Sequence, residues 1–471
     1  MTYKTTPDIK KAVLVGLQLP KISTAELEGS LQELARLVTT LGYQVVGRVT
    51  QKRDSDKTAQ VLGDGKLVEL AKWTDGTGKI AALVEHKKSK AALKWEKESS
   101  ELAVEEIEKN ENEVTPEGST LQITDTADIV IVDCDLSPNQ LRNLESASGV
   151  NVLDRTGVII EIFSRHAKTK AARLQVEIAR LTYVAPRMRE STKAGDQQGG
   201  GGKGSGETSL ELDKRKIRDR IKELKTELEA IGNEHEVRRA RRGQEISVAL
   251  VGYTNAGKSS LMRALTGSDI LIADKLFATL DTTIRPIYPE SRPKILISDT
   301  VGFIKKLPHD LVASFKSTLD EALNASLLLY VVDCSDPSFE SQLAVTQTVL
   351  AEVGATDVPY LLVLNKRDNL SDKEQEILAA KFENSILIST RDTNDLQNLR
   401  TKILSYFESD MIDADLFIPY LLQQSIIGDI REKTRVLSES YNELGITLKI
   451  KAKSEILAHF TDRLKKSMVR R

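Results

Sequence analysis

Residues 246–266, ISVALVGYTNAGKSSLMRALT, restrict the fold of this chain more than any other stretch. The apolar run 246–251 predicts a buried strand, and residues 262–265 continue a helical pattern beyond it. Between them, residues 252–259 fit G-x-x-x-x-G-K-[ST] at every fixed position. Glycines in such a loop let backbone N–H groups converge on phosphate oxygens at a helix N-terminus. Lys258 would reach the β- and γ-phosphates, and the Ser259 hydroxyl would bind Mg²⁺. The residues assigned to this phosphate loop are Gly252, Tyr253, Thr254, Asn255, Ala256, Gly257, Lys258, Ser259 and Ser260.

Two motifs that could sense a γ-phosphate follow the phosphate loop. In the first, FATLD, we expect Thr279 to offer its hydroxyl to Mg²⁺ when a triphosphate is bound, with Thr282 and Thr283 as weaker candidates. In the second, DTVG, Asp299 would hold the metal through water and the Gly302 N–H would bond the γ-phosphate. Hydrolysis would then release both loops, which is an order-to-disorder switch. The residues assigned to these two motifs are Phe277, Ala278, Thr279, Leu280, Asp281, Asp299, Thr300, Val301 and Gly302.

Two later motifs predict recognition of guanine. The sequence NKRD follows an apolar run, and its Asp368 can accept hydrogen bonds from both N1–H and the exocyclic amine of guanine. Adenine does not present these two donors together, so a buried carboxylate discriminates strongly in favour of GTP. The end of the run SILIST would contact the base oxygen through backbone N–H groups. The residues assigned to base recognition are Asn365, Lys366, Asp368, Ser389, Thr390 and Arg391.

One position departs from the pattern of Ras-type enzymes. These enzymes place a glutamine after DTVG to orient the attacking water, whereas this chain has Phe303. An apolar ring cannot orient water by hydrogen bonding. We therefore expect slow intrinsic hydrolysis, and the catalytic group stays unidentified: a backbone group, another side chain or a partner must complete the site.

Around these motifs, strand-like and helix-like segments alternate from residue 246 to about 407, which predicts a mostly parallel sheet with helices on both faces. The motifs stand at the carboxyl ends of predicted strands, where such sheets bind ligands. The chain of 471 residues is too long for one core. The predicted α/β fold has a P-loop GTPase domain at 244–410, an N-terminal α/β domain at 1–163, a helical hairpin at 164–243 and a small C-terminal α/β domain at 411–471.

In the N-terminal domain, the pattern predicts a strand over NVLDRTGVIIEIF and a charged insertion at 73–120 to which we assign no function. The sequence Gly63-Asp-Gly65-Lys66 lacks the remaining glycine and hydroxyl of a phosphate loop, so we interpret it as a turn. In the C-terminal domain, we expect a short strand near Leu416, a helix over 425–444, a strand over ITLKIKA and a helix over 454–464.

The hairpin is predicted from leucine-type residues that recur at alternating spacings of four and three over 174–185 and 217–231. The glycine-rich segment 195–206 between these helices is either a tip that reaches into a partner or a flexible linker. A basic run follows the second helix, and phosphate contact is a second interpretation beside that of a solvated face. Its arginines are Arg238, Arg239, Arg241 and Arg242.

The composition indicates a soluble cytosolic protein. A net charge of −2 with 29% charged residues argues against a globally basic nucleic-acid coat, so any RNA contact must be local. The two cysteines, Cys134 and Cys334, each lie in an apolar strand-like run, which favours two buried thiols over a disulfide or a metal site. No apolar stretch is long enough to span a membrane and no signal peptide opens the chain.

Taken together, the chain resembles the HflX family of ribosome-associated GTPases over nearly its whole length. The resemblance is carried by GYTNAGKSS, FATLD, DTVGF and NKRD, and more specifically by VNVLDRTGVIIEIF, ARLQVEIARL and GKGSGETSLELDKRKI. It implies Mg²⁺ as cofactor, GTP and GDP as substrate and product, and the large ribosomal subunit as the partner of hairpin 166–242. It also implies ribosome splitting or rescue under stress, with the hairpin tip near the peptidyl-transferase region. The chain departs from the family pattern in insertion 73–120, at Ser205 and at Thr282, where the family usually has proline.

Two other functions stay open at this stage. The chain could be a GTP-dependent regulator of RNA processing or tRNA modification, or a non-hydrolysing GTP-binding scaffold. The first would need a substrate pocket with Cys, His or metal ligands in residues 1–163, and the sequence shows none. We expect a cytoplasmic monomer, with peripheral membrane association left open. The stress trigger, and whether ATP binds the N-terminal domain, are not determined by the sequence.

Overall fold

The computed structural model describes residues 9–80, 125–188, 209–242, 246–267, 276–277, 282–306 and 321–469. The chain divides into two compact units, Met1–Val158 and Ile159–Arg471. Within the described residues, no helix is both long and apolar enough to cross a membrane. The domain boundaries drawn from the sequence stay predictions, as does the insertion, most of which lies outside the described residues.

The first unit contains a four-stranded parallel sheet in the order β2-β1-β3-β4. Its described elements are β1 Lys11–Gln18, α1 Thr24–Thr40, β2 Gln44–Lys52, α2 Asp64–Thr74, β3 Ile129–Val132, α3 Pro138–Ser148 and β4 Asn151–Asp154. Capping boxes at Ser23 and Ser137 fix the starts of α1 and α3, since each serine accepts from a backbone N–H three residues later. Gly63 is the N-cap of α2, which agrees with its interpretation as a turn.

The strand predicted over NVLDRTGVIIEIF is wrong beyond Asp154. Helix α4, Arg155–His166, replaces it. The Asp154 carboxylate accepts a hydrogen bond of 2.8 Å from the Gly157 N–H and so caps this helix. The run of β-branched residues favoured a strand, but its buried members, Val158, Ile159, Ile162 and Phe163, recur with helical spacing.

A buried ion cluster lies at the carboxyl edge of the first sheet. The Arg155 guanidinium, 1% exposed, donates to Asp133 at 2.7 Å and to Glu33 at 2.5 Å. Ser30 also donates to the Asp133 carboxylate. Burial acts to lower the pKa of Arg155, but these two carboxylates outweigh it and raise the pKa. The cluster joins α1, β3 and α4 through a buried guanidinium and the two carboxylates that balance its charge, while Arg155 Nε has no hydrogen-bond partner in the described part of the chain.

The second unit begins with the rest of α4 and continues into the helices α5, Lys170–Val184, and α6, Ser209–Arg242. Helix α5 begins at Lys170, four residues before the first residue of the leucine-type pattern, because Thr169 caps it and separates it from α4. The two helices run antiparallel, since Lys170 pairs with Glu227 and Glu177 pairs with Arg220. Their shared apolar seam contains Leu174, Ile178, Leu181, Ile221, Leu224, Leu228 and Ile231.

The second unit also contains a six-stranded sheet in the order β10-β9-β8-β5-β7-β6, in which all neighbours are parallel except the antiparallel pair β6 and β7. Its strands are β5 Ile246–Gly252, β6 Thr283–Pro286, β7 Ile295–Asp299, β8 Leu327–Asp333, β9 Tyr360–Asn365 and β10 Ser385–Leu387. The helices are α7 Lys258–Thr266, α8 Phe339–Val353, α9 Asp372–Lys381 and α10 Thr393–Ser409. The carboxyl ends of β5, β7, β8 and β9 meet at one edge, which gathers the sequence motifs there.

The last segment forms a three-stranded antiparallel sheet in the order β11-β13-β12. Its elements are β11 Ile412–Pro419, α11 Tyr420–Lys433, β12 Arg435–Tyr441, β13 Gly445–Ala452 and α12 Ser454–Val469. The helix predicted over 425–444 is therefore wrong in its second half. Buried Thr434 adopts an extended conformation and ends α11, which allows the next residues to pair with β13.

Candidate nucleotide-binding site

The phosphate loop lies between β5 and α7, as the sequence predicts. Gly257, the N-cap of α7, has φ of +93°, a left-handed conformation that favours glycine. A Cβ atom there would lie 2.2 Å from Nδ2 of Asn365. The loop can therefore curl only if this position has no side chain.

Lys258 begins α7 with its ammonium group buried in the loop. Its Nζ donates to the carbonyl oxygens of Tyr253 at 2.7 Å and Gly252 at 3.1 Å. Burial lowers the pKa of Lys258 to about 8, although the nearby charge of Asp299 acts to raise it. The loop therefore concentrates positive charge and helix N–H groups at one point, which suits phosphate.

An oxygen-rich pair lies beside this lysine. The Ser259 hydroxyl donates to Asp299 Oδ2 at 2.7 Å. Asp299 is 1% exposed, and burial raises its pKa against the opposing effects of Lys258 and Ser259. Its Oδ1 has no hydrogen-bond partner within the described part of the chain. A hydroxyl next to a buried carboxylate with an unpaired oxygen is a hard-oxygen donor set that fits Mg²⁺.

Two more buried polar atoms around the loop lack a partner among the described residues, Thr254 Oγ1 and Asn365 Oδ1. Buried polar groups in proteins are nearly always hydrogen-bonded, so a cluster of buried polar atoms without partners fits the binding of a ligand, ion or water. Three such groups around one loop indicate a site for a polar ligand.

The segment after β7 runs alongside the phosphate loop. Thr254 N donates to Phe303 O at 2.8 Å, and Phe303 N donates to Gly252 O at 3.1 Å. The Thr300 hydroxyl donates to the Leu250 carbonyl of β5 at 2.7 Å. Phe303 is 2% exposed, so its ring is buried and its backbone groups bond the loop. Val301 is buried as well.

Only Phe277 of the FATLD motif belongs to the described residues; Ala278, Thr279, Leu280 and Asp281 lie outside them. Phe277 is buried and has φ of +58°, an uncommon backbone conformation for a bulky residue. Its ring packs edge-on against Phe163, with 4.6 Å between ring centroids. This aromatic contact holds one end of the FATLD motif in an unfavourable backbone conformation.

The NKRD motif follows β9 and contacts the phosphate loop directly. Asn365 is fully buried, and its Nδ2 donates to the Ala256 carbonyl at 2.9 Å. Lys366 has φ of +64°, and its ammonium pairs with Asp333 at 2.6 Å. The Cys334 thiol donates to the Asn365 carbonyl at 2.9 Å, and burial raises the pKa of this thiol to about 12. Neither cysteine forms a disulfide, and Cys134 is half-buried.

The structure brings Asp368 together with Ser389 and Arg391. The Ser389 hydroxyl donates to Asp368 Oδ1 at 2.8 Å, and Arg391 Nη1 donates to Oδ2 at 3.0 Å. Burial acts to raise the pKa of Asp368, but these two donors outweigh it and hold the pKa below its ordinary range. The carboxylate therefore stays charged and faces cationic and hydroxyl donors at the edge of the sheet.

Residues that the sequence motifs do not include position this edge. Asp395 accepts from the Ser389 N–H at 2.7 Å and pairs with Arg367, which also bonds Asp392 at 2.7 Å. These two aspartates thereby fix the loop after β10. The sequence motifs also do not include Asp333, which pairs with Lys366, although its position at the end of an apolar run indicated that it lies at the same sheet edge.

Three family models match the chain in sequence order. One described as "GTP-binding GTPase N-terminal" matches residues 28–92 and 113–164, and one described as "GTP-binding GTPase Middle Region" matches 166–242. One described as "50S ribosome-binding GTPase" matches 247–366.

Among curated relatives, "GTPase HflX" of Gluconacetobacter diazotrophicus is 53% identical over 99% of this chain and 100% of its own length. "GTPase HflX" of Escherichia coli is 37% identical over 78% of this chain and 75% of its own. A solved GTP-binding protein from Sulfolobus solfataricus in complex with GDP is 26% identical over 84% of this chain and 98% of that chain, with a TM-score of 0.41.

Proposed function

Because the chain belongs to the GTPase HflX family, we propose that it is a GTP-controlled switch that acts on the large ribosomal subunit and splits or rescues stalled ribosomes under stress. The chain binds GTP and hydrolyses it. The proposal concerns what this activity controls and which residues perform it. Its main support is a positively charged helical hairpin in the same compact unit as the nucleotide site.

At the phosphate end of the nucleotide, Ser259 would bind Mg²⁺ directly and Asp299 would hold it through water. The metal would neutralise charge on the β- and γ-phosphates and orient them for attack. Lys258, whose ammonium now donates to loop carbonyls, would donate to the same phosphates. Thr279 would join the metal only when the γ-phosphate is present, which would make the FATLD motif a sensor of the triphosphate.

At the base end, Asp368 would accept the two N–H donors of guanine. Ser389 already holds one carboxylate oxygen, so the carboxylate keeps its orientation when the base arrives. The exposed Arg391 would leave the other oxygen to make room for the base. Asn365 connects this end of the site to the phosphate loop.

Hydrolysis needs a group that orients the attacking water, and the Phe303 ring does not provide it. This ring is buried, and its backbone N–H and carbonyl already bond the phosphate loop. We infer a slow intrinsic rate that the large subunit stimulates, either by supplying the missing group or by ordering one from this chain. The large subunit would then determine when GTP is hydrolysed.

The hairpin would supply much of the docking surface. Helix α6 alone contains eleven Lys and Arg residues against eight Asp and Glu, in a chain whose net charge is −2. Its last turns include Arg238, Arg239, Arg241 and Arg242, whose side chains lie outside the described part. Arginines on such a helix would contact RNA phosphates, and this contribution falls as salt rises because counterions are released on binding.

Neither alternative function is favoured by an observation. An RNA-modifying enzyme would use a site in the first unit, yet the edge of its sheet holds the cluster in which Arg155 pairs with Asp133 and Glu33. No group of three or more His, Cys, Asp or Glu side chains in the described ranges is arranged to hold a metal. A non-hydrolysing scaffold conflicts with GTP hydrolysis.

We infer that the chain acts as a cytoplasmic monomer.

The experiment measures GTP hydrolysis and subunit splitting side by side, on the intact chain and on a chain that lacks 195–206. We expect ribosomal subunits to accelerate hydrolysis by the intact chain, and the deletion to abolish splitting while GTP affinity stays within twofold. Co-sedimentation with large subunits should be stronger with a non-hydrolysable GTP analogue than with GDP. Normal splitting without residues 195–206 would instead identify this segment as a linker.

A further inference from the structure

We propose that Tyr253, the second residue of the phosphate loop, is a positioning residue for GTP hydrolysis that holds the segment after Gly302 against the loop. The phenol oxygen of Tyr253 accepts a hydrogen bond of 2.6 Å from the Lys305 backbone N–H. The tyrosine is 6% exposed, so most of its side chain is buried, and the bond itself is partly buried. A side chain of the phosphate loop therefore contacts the backbone of the segment that would sense the γ-phosphate.

The backbone after Gly302 is held at two points. Phe303 forms a β-bridge with Tyr253. The Lys305 backbone N–H donates to the phenol oxygen of the same tyrosine. Lys306 follows with φ of +57°, a left-handed conformation that is unfavourable for lysine. The hydrogen bond to Tyr253 offsets part of that cost and so stabilises the turn.

The held position is the one that a γ-phosphate sensor needs. A Cβ atom on Gly302 would lie 2.9 Å from Lys258 Nζ and 2.9 Å from the Thr254 Cα. Gly302 is therefore in close contact with the lysine that would reach the phosphates. If the segment moves away, the Gly302 N–H moves away from this lysine. Tyr253 would thus act on the position of Gly302 through the backbone of the residues that follow it.

The inference rests on the proposed role of Gly302 at the γ-phosphate. It leads to a specific expectation, because GDP lacks this phosphate: loss of the phenol oxygen should impair GTP-dependent steps and spare GDP. A partly buried hydrogen bond of this kind corresponds to a rate change of about threefold to tenfold.

The test compares Tyr253→Phe with the parent chain and with Tyr330→Phe. The first variant keeps the ring and removes the hydroxyl. The control removes the same group from neighbouring strand β8, where the phenol ring contacts Tyr360. For each variant, GDP affinity, kcat for GTP, and the rate of tryptic cleavage after Lys305 and Lys306 in the presence of a non-hydrolysable GTP analogue are measured.

We expect Tyr253→Phe to bind GDP within twofold of the parent, to lose about threefold to tenfold in kcat, and to be cleaved faster after Lys305 and Lys306. The control should match the parent in all three measurements. Unchanged kcat and cleavage, or an equal loss of GDP affinity and kcat, would overturn the role of Tyr253. If Gly302→Ala also leaves kcat unchanged, then the role of Gly302 itself is wrong, and that failure is distinct from failure of Tyr253.

Discussion

Replacement of Asp368 by Asn tests the reading of guanine most directly. In the structure, the carboxylate accepts from the Ser389 hydroxyl and from Arg391, whose side chain is 83% exposed. Guanine would replace the Arg391 contact with two N–H donors. An exposed ion pair contributes at most about 1 kcal/mol, whereas a hydrogen bond to a charged acceptor contributes about 1.5–3 kcal/mol. The exchange therefore favours binding by about 2–5 kcal/mol, or about 30-fold to 4,000-fold in Kd.

The assay titrates the parent chain and Asp368→Asn with fluorescent GDP and with the xanthosine analogue. The variant should lose most of the contribution to GDP binding calculated above. It should gain affinity for xanthosine diphosphate, because its amide donates to the carbonyl that replaces the exocyclic amine. Asp372→Asn serves as the matched control, since Asp372 is an exposed aspartate at the start of α9. If Asp368→Asn binds GDP within threefold of the parent, Asp368 does not read the base.

Three further predictions follow from the same site. Ser259→Ala should weaken GDP and GTP binding about tenfold in the presence of Mg²⁺ and far less without it, whereas Thr279→Ala should impair only the triphosphate state; isothermal titration with and without EDTA distinguishes them. Gly257→Ala should reduce affinity for both nucleotides at least tenfold, because it combines a strained left-handed backbone with a clash against a buried amide, and unchanged affinity would refute that geometry. The raised pKa of Cys334, about 12 against an ordinary 9.0, means that its folded-state thiol stays neutral. It should therefore react with Ellman's reagent at pH 8 only after unfolding, well after Cys134, and its contribution to stability should fall as pH rises above about 9, where the unfolded thiol ionises.

The sequence was sufficient to predict how the motifs are arranged along the sheet edge, because each motif depends on residues close to it in the chain. The curl of the phosphate loop depends on glycine at one left-handed position, and the strand and helix around it follow from adjacent apolar patterns. The parallel sheet then brings DTVG and NKRD to the same edge, since both follow strands that point the same way. Roles at the base and at the metal stay predictions, and four of the five FATLD residues lie outside the described part of the chain.

The features that sequence patterns did not predict depend on distant residues. The bond from Lys305 to Tyr253 joins positions 52 residues apart, and no local pattern indicates it. The support that Asp395 gives to Ser389 depends on where α10 begins. Helix α4 was mistaken for a strand because Val and Ile runs favour strands, while the capping carboxylate of Asp154 and helical burial determine the outcome.

The hydrogen bond from Asn365 to the Ala256 carbonyl directly connects the two proposed ends of the nucleotide site. A ligand that spans a fixed distance between two anchors gains from effective concentration, since engagement of one end holds the other within reach. Guanosine or pyrophosphate alone would lose that advantage and bind far more weakly than their shared contacts suggest. The same bond would transmit a disturbance from one end to the other. A base bound in the wrong position would displace the Asn365 amide, and the amide would then displace the phosphate loop.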